Sequence, residues 1–383
     1  MTEPEDPAEL PEGPADKPGS RWRRAAAAVG RAARAPFNGA GLLYRIGQEN
    51  LHFTLPVLNG AFGDQLAARH DRRAIQMSFR RYEADVSVAE LRLQPPPEGQ
   101  VRKTVVFLHG LMGDEIIWQT GAGPEDVRFG PRLQRELGVN CLYVRYNSGL
   151  HISENGRRLH QLLTELVQTF PAAVGELVLV GHSMGGLVIR SAGYYAAQEQ
   201  LFSEAPVASG PADNTPEPAL RWLPSLRDVF LLGVPNDGSF LEQNSHLTAL
   251  ILRKINIWPT RAISGLLDKR SNGIKDLRFA RLTDEDWQNA HADDLFPPRT
   301  VVPPLPGVRY HVLVGSLLKT VDSALHEYFG DGLVGAGSAR GRIFRDPAAP
   351  PDLLITTRVY PRLHHGTLLS NPEVYAYIRE NIG

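Results

Sequence analysis

The chain has one cysteine, Cys141, among 383 residues, and only four methionines. A single cysteine excludes an internal disulfide, so a small disulfide-stapled scaffold is ruled out and a reducing cytoplasm is permitted. Cys141 lies in NCLYVRYN at 140–147, which reads as a buried strand with the thiol as a small core hydrophobe. No run reaches the ~18 uninterrupted apolar residues of a membrane span. Charge of one sign is also missing. The 41 Lys and Arg nearly cancel the 42 Asp and Glu, leaving −1, so bulk charge implies no polyanion or nucleic-acid partner. Neither HExxH nor CxxC occurs, and no metal or other cofactor is called for.

What is present divides the chain in three. Residues 1–20 are acidic and Pro-rich, a composition that does not fold by itself. Residues 21–75 form a basic, helical extension. Its arginines interrupt the alanines of RWRRAAAAVGRAARAP, which breaks the continuous apolar core a signal peptide needs. The Arg-rich 21–34 segment reads either as a solvated helix packed on the body or as a peripheral contact to anionic lipid. Residues 76–383 hold the body.

In the body, strand and helix patterns alternate. The stretch 76–95 suits an antiparallel edge hairpin. TVVFLHG (104–110), NCLYVRYN, ELVLVGHS (176–183), RDVFLLGVP (227–235), RYHVLVGS (309–316) and LLITTRVYP (353–361) are apolar, β-branched runs, several of them near-continuous. Such runs belong to strands covered on both faces. Helical patterns lie between and after them, as at 156–170, where Leu159, Leu162, Leu163 and Leu166 share one face. The pattern predicts a doubly wound, mostly parallel α/β sheet. Residues 239–300 carry helical fragments and no strand, which predicts an inserted helical cap. Its Leu241, Leu247, Leu250, Ile251, Leu252, Ile255, Ile257 and Trp258 suit either an acyl-chain pocket or a subdomain core.

The chemistry starts at Gly181-His182-Ser183-Met184-Gly185, which follows a strand and opens a helix. There a G-x-S-x-G turn lifts a serine above the sheet, and Ser183 becomes the candidate nucleophile. A serine needs a base, the base needs an orienting acid, and the oxyanion needs two N–H donors. Met184 N–H follows the nucleophile. FLHGLMGD at 107–114 supplies the second donor, Leu111 N–H first and Met112 N–H next, with His109 ordering that loop. The base falls in the loop before the last helix, at His364 or His365. The acid follows the preceding strand, where Asp322, Glu327 and Asp331 are offered; Asp331, in the Gly-flanked turn GDGLV, leads and Asp322 is next. His109, Met112, His182 and Val234 are candidate substrate contacts. Asp237 reads as a turn former, with a polar site role as the alternative.

GHSMGGLVIR, FLHGLMGD, LLGVPNDGS (231–239) and HHGTLLSNPEVY together resemble the α/β-hydrolase superfamily. More narrowly, the chain is similar over roughly 100–383 to bacterial lipase and esterase proteins related to the GPI-inositol deacylases and triacylglycerol lipases. The resemblance implies an α/β-hydrolase fold, Ser183 as nucleophile and Asp331, from a D-G-x-V segment, as acid. It also implies His365 rather than His364 as base, because an apolar pair, Leu368 and Leu369, follows closely. The implied activity is hydrolysis of lipid or other acyl esters. Acyltransferases and thioesterases share the same triad, and a silent fold used as a binding module is the reading from another class.

Overall fold

Most of the apolar runs become strands buried on both faces, whereas the last, at 353–361, forms a largely exposed strand at the sheet edge. In the computed structural model the described residues are 51–99, 101–119, 128–204, 221–238, 271–292, 294, 297–317, 331, 334, 336–344 and 353–383. The 1–20 tail, the Arg-rich 21–34 segment, positions 239–270 of the 239–300 insertion, Asp322 and Glu327 lie outside them. The strands are β1 (Ser78–Arg81), β2 (Ala84–Val86), β3 (Lys103–Leu108), β4 (Asn140–Arg145), β5 (Glu176–His182), β6 (Leu226–Leu232), β7 (Arg309–Ser316) and β8 (Leu354–Pro361). They form one sheet in the order β2-β1-β4-β3-β5-β6-β7-β8. The β1–β2 hairpin is antiparallel and joins β4 antiparallel; every other pairing is parallel.

Among the described residues, six helices have eight residues or more: α1 (Leu51–Ala68), α2 (Phe129–Leu137), α3 (Ile152–Thr169), α4 (Met184–Glu204), α5 (Asn272–Phe279) and α6 (Pro372–Ile382). Strand alternation splits the core into two layers. Val106, Leu108, Leu177 and Leu179 pack with Leu159, Leu163 and Val188 of α3 and α4. Val105, Phe107, Val178 and Val180 pack on the opposite face with Leu133 of α2 and Ile378 of α6. Burying each such side chain stabilises the fold by about 1.5–3 kcal/mol, so the sheet is the most strongly held layer. Strand β4 alternates buried and half-buried positions. Cys141 is therefore half-buried, less enclosed than the sequence suggested; its Sγ donates to Gly130 O at 3.4 Å, and burial raises the thiol pKa to about 12.

Parallel strands send all their forward loops to one edge. The loops after β3, β5, β6, β7 and β8 meet there, carrying residues 109–113, 183, 233–238, 331 and 365. Helix α1, from the N-terminal extension, braces this edge. Asn147 Nδ2 donates to Gly63 O at 2.9 Å, and Ser271 Oγ to Gly60 O at 2.6 Å. A Cβ added to Gly60 would lie 2.3 Å from Met112 Cγ, so helix and loop are in direct contact. Among the described residues no helix is long and apolar enough to cross a membrane.

Candidate active site

Ser183 sits between β5 and α4 with a φ of +53°, a left-handed conformation rare for a serine. Its neighbours explain the glycines around it. A Cβ on Gly181 would lie 2.6 Å from Gly186 N, and one on Gly185 would lie 2.5 Å from His109 O. Only hydrogen fits at either place. Strain of this kind costs about 1–3 kcal/mol and persists where surrounding bonds enforce it. Here Ser183 N donates to Leu232 O at 2.9 Å, and Gly186 N donates to Ser183 O at 3.1 Å.

The candidate acid and base come from the loops after β7 and β8. Asp331, after β7, and His365, after β8, are both buried. His365 Nδ1 lies 2.7 Å from Asp331 Oδ2, and His365 N donates to Asp331 O at 3.2 Å. The second carboxylate oxygen, Oδ1, accepts Val334 N–H at 3.0 Å. With Nδ1–H donating to a carboxylate, the lone pair of His365 falls on Nε2. Neither that Nε2 nor Ser183 Oγ makes a hydrogen bond among the described residues, so the Ser–His link is open. Open links are common in catalytic sites without substrate. His365 is close to the elbow by another route: its ring centroid is 4.5 Å from that of His182, the residue before Ser183. The neighbouring His364 is exposed and caps the short 3₁₀ turn His365–Leu369; its N–H donates to Thr367 Oγ1 at 2.8 Å. Leu368 and Leu369 are buried beneath that turn and anchor it.

Two backbone donors are available beside the serine. Among the described residues neither Met184 N–H nor Leu111 N–H has an acceptor. The loop bearing Leu111 is close, since a Cβ on Gly110 would lie 3.0 Å from Ser183 Cβ. Met112 N–H, the alternative donor, is already committed to Ser148 Oγ at 3.0 Å. Met112 itself has a φ of +58° and is half-buried against α1.

Three of the candidate substrate contacts take other parts. His109 has no exposed surface, so it orders the loop instead of meeting a ligand. Its ring stacks on Tyr146 at 4.3 Å, Nδ1 donates to Gly110 O at 2.9 Å, and Nε2 accepts Tyr146 N–H at 3.3 Å. Burial pulls its pKa down to about 4, so it is neutral. Val234 is core: it packs against the start of α4, where a Cβ on Gly186 would lie 2.2 Å from Val234 Cγ2. His182 is buried and donates Nε2–H to His365 O at 3.2 Å, which holds the His365 loop. Burial first, and the His365 ring second, push its pKa well below the ordinary value. Both rings therefore stay uncharged beside the candidate base, His365. Asp237 lies away from this cluster and accepts Arg342 N–H at 2.9 Å.

The sequence reading missed what holds the Met112 loop. Ser148 and Asn147, from the turn after β4, bind that loop and α1, while Gly273 of α5 closes on Ser148 O and Met184. No local motif marks these residues, because their roles exist only where four chain segments touch. Among the described residues no group of three or more His, Cys, Asp and Glu could hold a metal ion.

A search of curated proteins returned no match. Solved structures with a similar course include the mature lipase BlEst2 of Bacillus licheniformis (17% identity, 76% of this chain and 95% of that one, TM-score 0.43). They also include the Staphylococcus hyicus lipase (12% identity, 76% and 97%, TM-score 0.41) and an esterase of the archaeon Pyrobaculum calidifontis (13%, 75% and 78%, TM-score 0.41). The assignment rests on a different finding, a match of residues 105–376 to the model of one family. That span runs from within β3 into the first turn of α6 and takes in Ser183, Asp331 and His365: the chain belongs to the alpha/beta hydrolase family.

Proposed function

We propose that this protein is a serine hydrolase that cleaves carboxylic esters, with lipid or other acyl esters as its substrates, through Ser183, His365 and Asp331. One observation carries the reading: the His365 ring gives Nδ1 to Asp331 Oδ2 at 2.7 Å, and among the described residues its Nε2 and the serine hydroxyl of the adjacent elbow are both unengaged. That is the state a general base needs before substrate arrives.

In the reaction Ser183 Oγ attacks the ester carbonyl carbon while His365 Nε2 takes the hydroxyl proton. Asp331 keeps the ring in the Nδ1–H form and stabilises the imidazolium. The carbonyl oxygen becomes an oxyanion held by Met184 N–H and Leu111 N–H; each such donor is worth about 3–4 kcal/mol in the transition state. Collapse expels the alcohol, which leaves with the proton from His365. Water then attacks the acyl-serine, His365 takes a proton from it, and release of the acid returns that proton to Ser183 Oγ. Neutral His109 and His182 favour this cycle, since a fixed positive charge there would oppose the imidazolium.

A fluorophosphonate probe tests the nucleophile. It is expected to modify the wild-type chain at Ser183 and to leave Ser183→Ala untouched. A folded wild-type protein that takes no label on Ser183 would overturn the proposal. p-Nitrophenyl esters from acetate to palmitate test the substrate class, and a preference for the longer chains is the expected result.

A further inference from the structure

Helix α4 carries Arg190 seven residues beyond Ser183, about 10 Å of helical rise away. Its side chain is buried, with 8% of the residue exposed, and among the described residues it bonds to no carboxylate. Nη1 donates to Asn236 O at 3.3 Å and to Asn236 Oδ1 at 3.2 Å, and Nη2 donates to Val302 O at 3.0 Å. Phe344 lies 5.3 Å from the guanidinium carbon. All three acceptors are neutral. A guanidinium has five N–H groups, so two find no acceptor among the described residues. Burying a cation without an anion is costly, and burial lowers the pKa of Arg190 to about 10.

Arg190 lines a cavity of about 690 Å³ together with Arg299, Arg342 and Asp237, and Leu282 and Val302 form part of its apolar wall. Asp237 is already shared. It accepts Arg342 N–H at 2.9 Å and pairs with the Arg342 side chain at 3.6 Å and with Arg299 at 3.9 Å. Among the described residues, three guanidinium groups face one carboxylate, an excess of two positive charges.

We propose that this cavity binds a phosphoryl group presented by a small organic phosphate, with the phosphoryl on the three arginines and the organic part against Leu282 and Val302. A phosphomonoester carries nearly two negative charges near neutrality, which matches the uncompensated charge. Guanidinium forks fit phosphate oxygens bidentately and desolvate more easily than ammonium groups. The volume lies within the range of small-molecule sites and exceeds what one phosphate fills. The site is separate from Ser183 and stands whether or not the esterase reading holds.

Calorimetric titration of the full chain at fixed, moderate salt tests it with two probes: inorganic phosphate, and dihexanoyl phosphatidic acid kept below its micellar concentration. Saturable one-to-one binding is expected, at least tenfold tighter for the phosphatidic acid, which would identify a lipid headgroup as the source. Equal affinities would overturn the organic-phosphate assignment, because the apolar wall would then add nothing to the binding of the phosphoryl group. Arg190→Met should abolish binding but removes three buried hydrogen bonds and risks misfolding. Arg299→Ala and Arg342→Ala, at more exposed positions, keep the test decisive. Each should weaken binding fivefold or more with the thermal midpoint unchanged. No saturable binding of either probe, or binding indifferent to both alanine variants, overturns the proposal.

Discussion

Two buried histidine–aspartate pairs lie at opposite ends of the parallel strands. At the carboxyl edge His365 Nδ1 meets Asp331 Oδ2 at 2.7 Å; in the first half of β6 and β7 His311 Nε2 meets Asp228 Oδ1 at 3.0 Å. The contacts are nearly alike, but the rest of each ring differs. His311 also engages Tyr377 OH through Nδ1 at 2.8 Å, so both its nitrogens are occupied. Asp228 further accepts Arg309 through both oxygens at 2.6 Å. Burial alone would raise Asp228, yet the hydrogen bonds from His311 and Arg309 hold it below the usual carboxylate range. A His–Asp contact is thus an ordinary way to satisfy buried polar groups. A base needs a ring nitrogen left over, at the edge where the loops converge.

The sharpest way to break this contrast is to remove each ring. On a p-nitrophenyl ester, His365→Ala should lower kcat by roughly 10⁴-fold or more. His311→Gln should leave kcat within a few-fold while costing stability. Equal losses of kcat would mean that position along the strands does not separate the two pairs. Asp331→Asn should lower kcat by about 10⁴-fold through the wrong tautomer, whereas His364→Ala, on an exposed ring, should change it little.

A third buried pair sharpens the comparison through stability. His151 Nδ1 lies 2.9 Å from Asp276 Oδ2, which also accepts Ile152 N–H at 3.0 Å, and the His151 ring stacks on Trp287 at 3.9 Å. This pair ties α5 to the start of α3. Asp276→Ala leaves His151 buried without its acceptor and should cost about 3–5 kcal/mol in urea unfolding. A change under 1 kcal/mol would show that the tie is dispensable.

Acid should act through His109. In the unfolded chain it binds a proton near 6.5, whereas the native ring resists until about 4. Between those values the unfolded state holds the extra proton, so stability falls as pH drops from 6.5 and levels off below 4. The loss from this one group is roughly 3 kcal/mol, and it should shrink by that amount in His109→Gln. A smaller effect than at His109 is expected at Ser148→Ala, which strips Met112 N–H of its acceptor. A loss of about 1 kcal/mol, or roughly fivefold in kcat with KM unchanged, would mark Ser148 as a positioning residue for the oxyanion loop.

Much of the fold was legible because its causes are local. Apolar runs read as two-faced strands, and the edge hairpin at 76–95 appears as β1 and β2. The glycines around Ser183 announced a turn too tight for side chains. At the site, legibility was uneven. The residues of the loop after the last strand left His364 and His365 open, the family resemblance favoured His365, and in the structure it is the His365 ring that meets Asp331. His109 and Val234 looked like pocket residues from their place in the loops, yet packing against Tyr146 and Gly186 encloses them.

By itself the sequence determined the strand and helix pattern, the elbow and the order serine, aspartate, histidine, since side-chain periodicity and glycine sterics act over a few neighbouring residues. Only the tertiary structure decided that α1 braces the Met112 loop, that His311 has no nitrogen to spare, and that Arg190, Arg299 and Arg342 share one cavity. Those outcomes depend on which distant segments come within a few ångströms of one another. That follows from how the loops close and the layers pack, and no short stretch of chain records it.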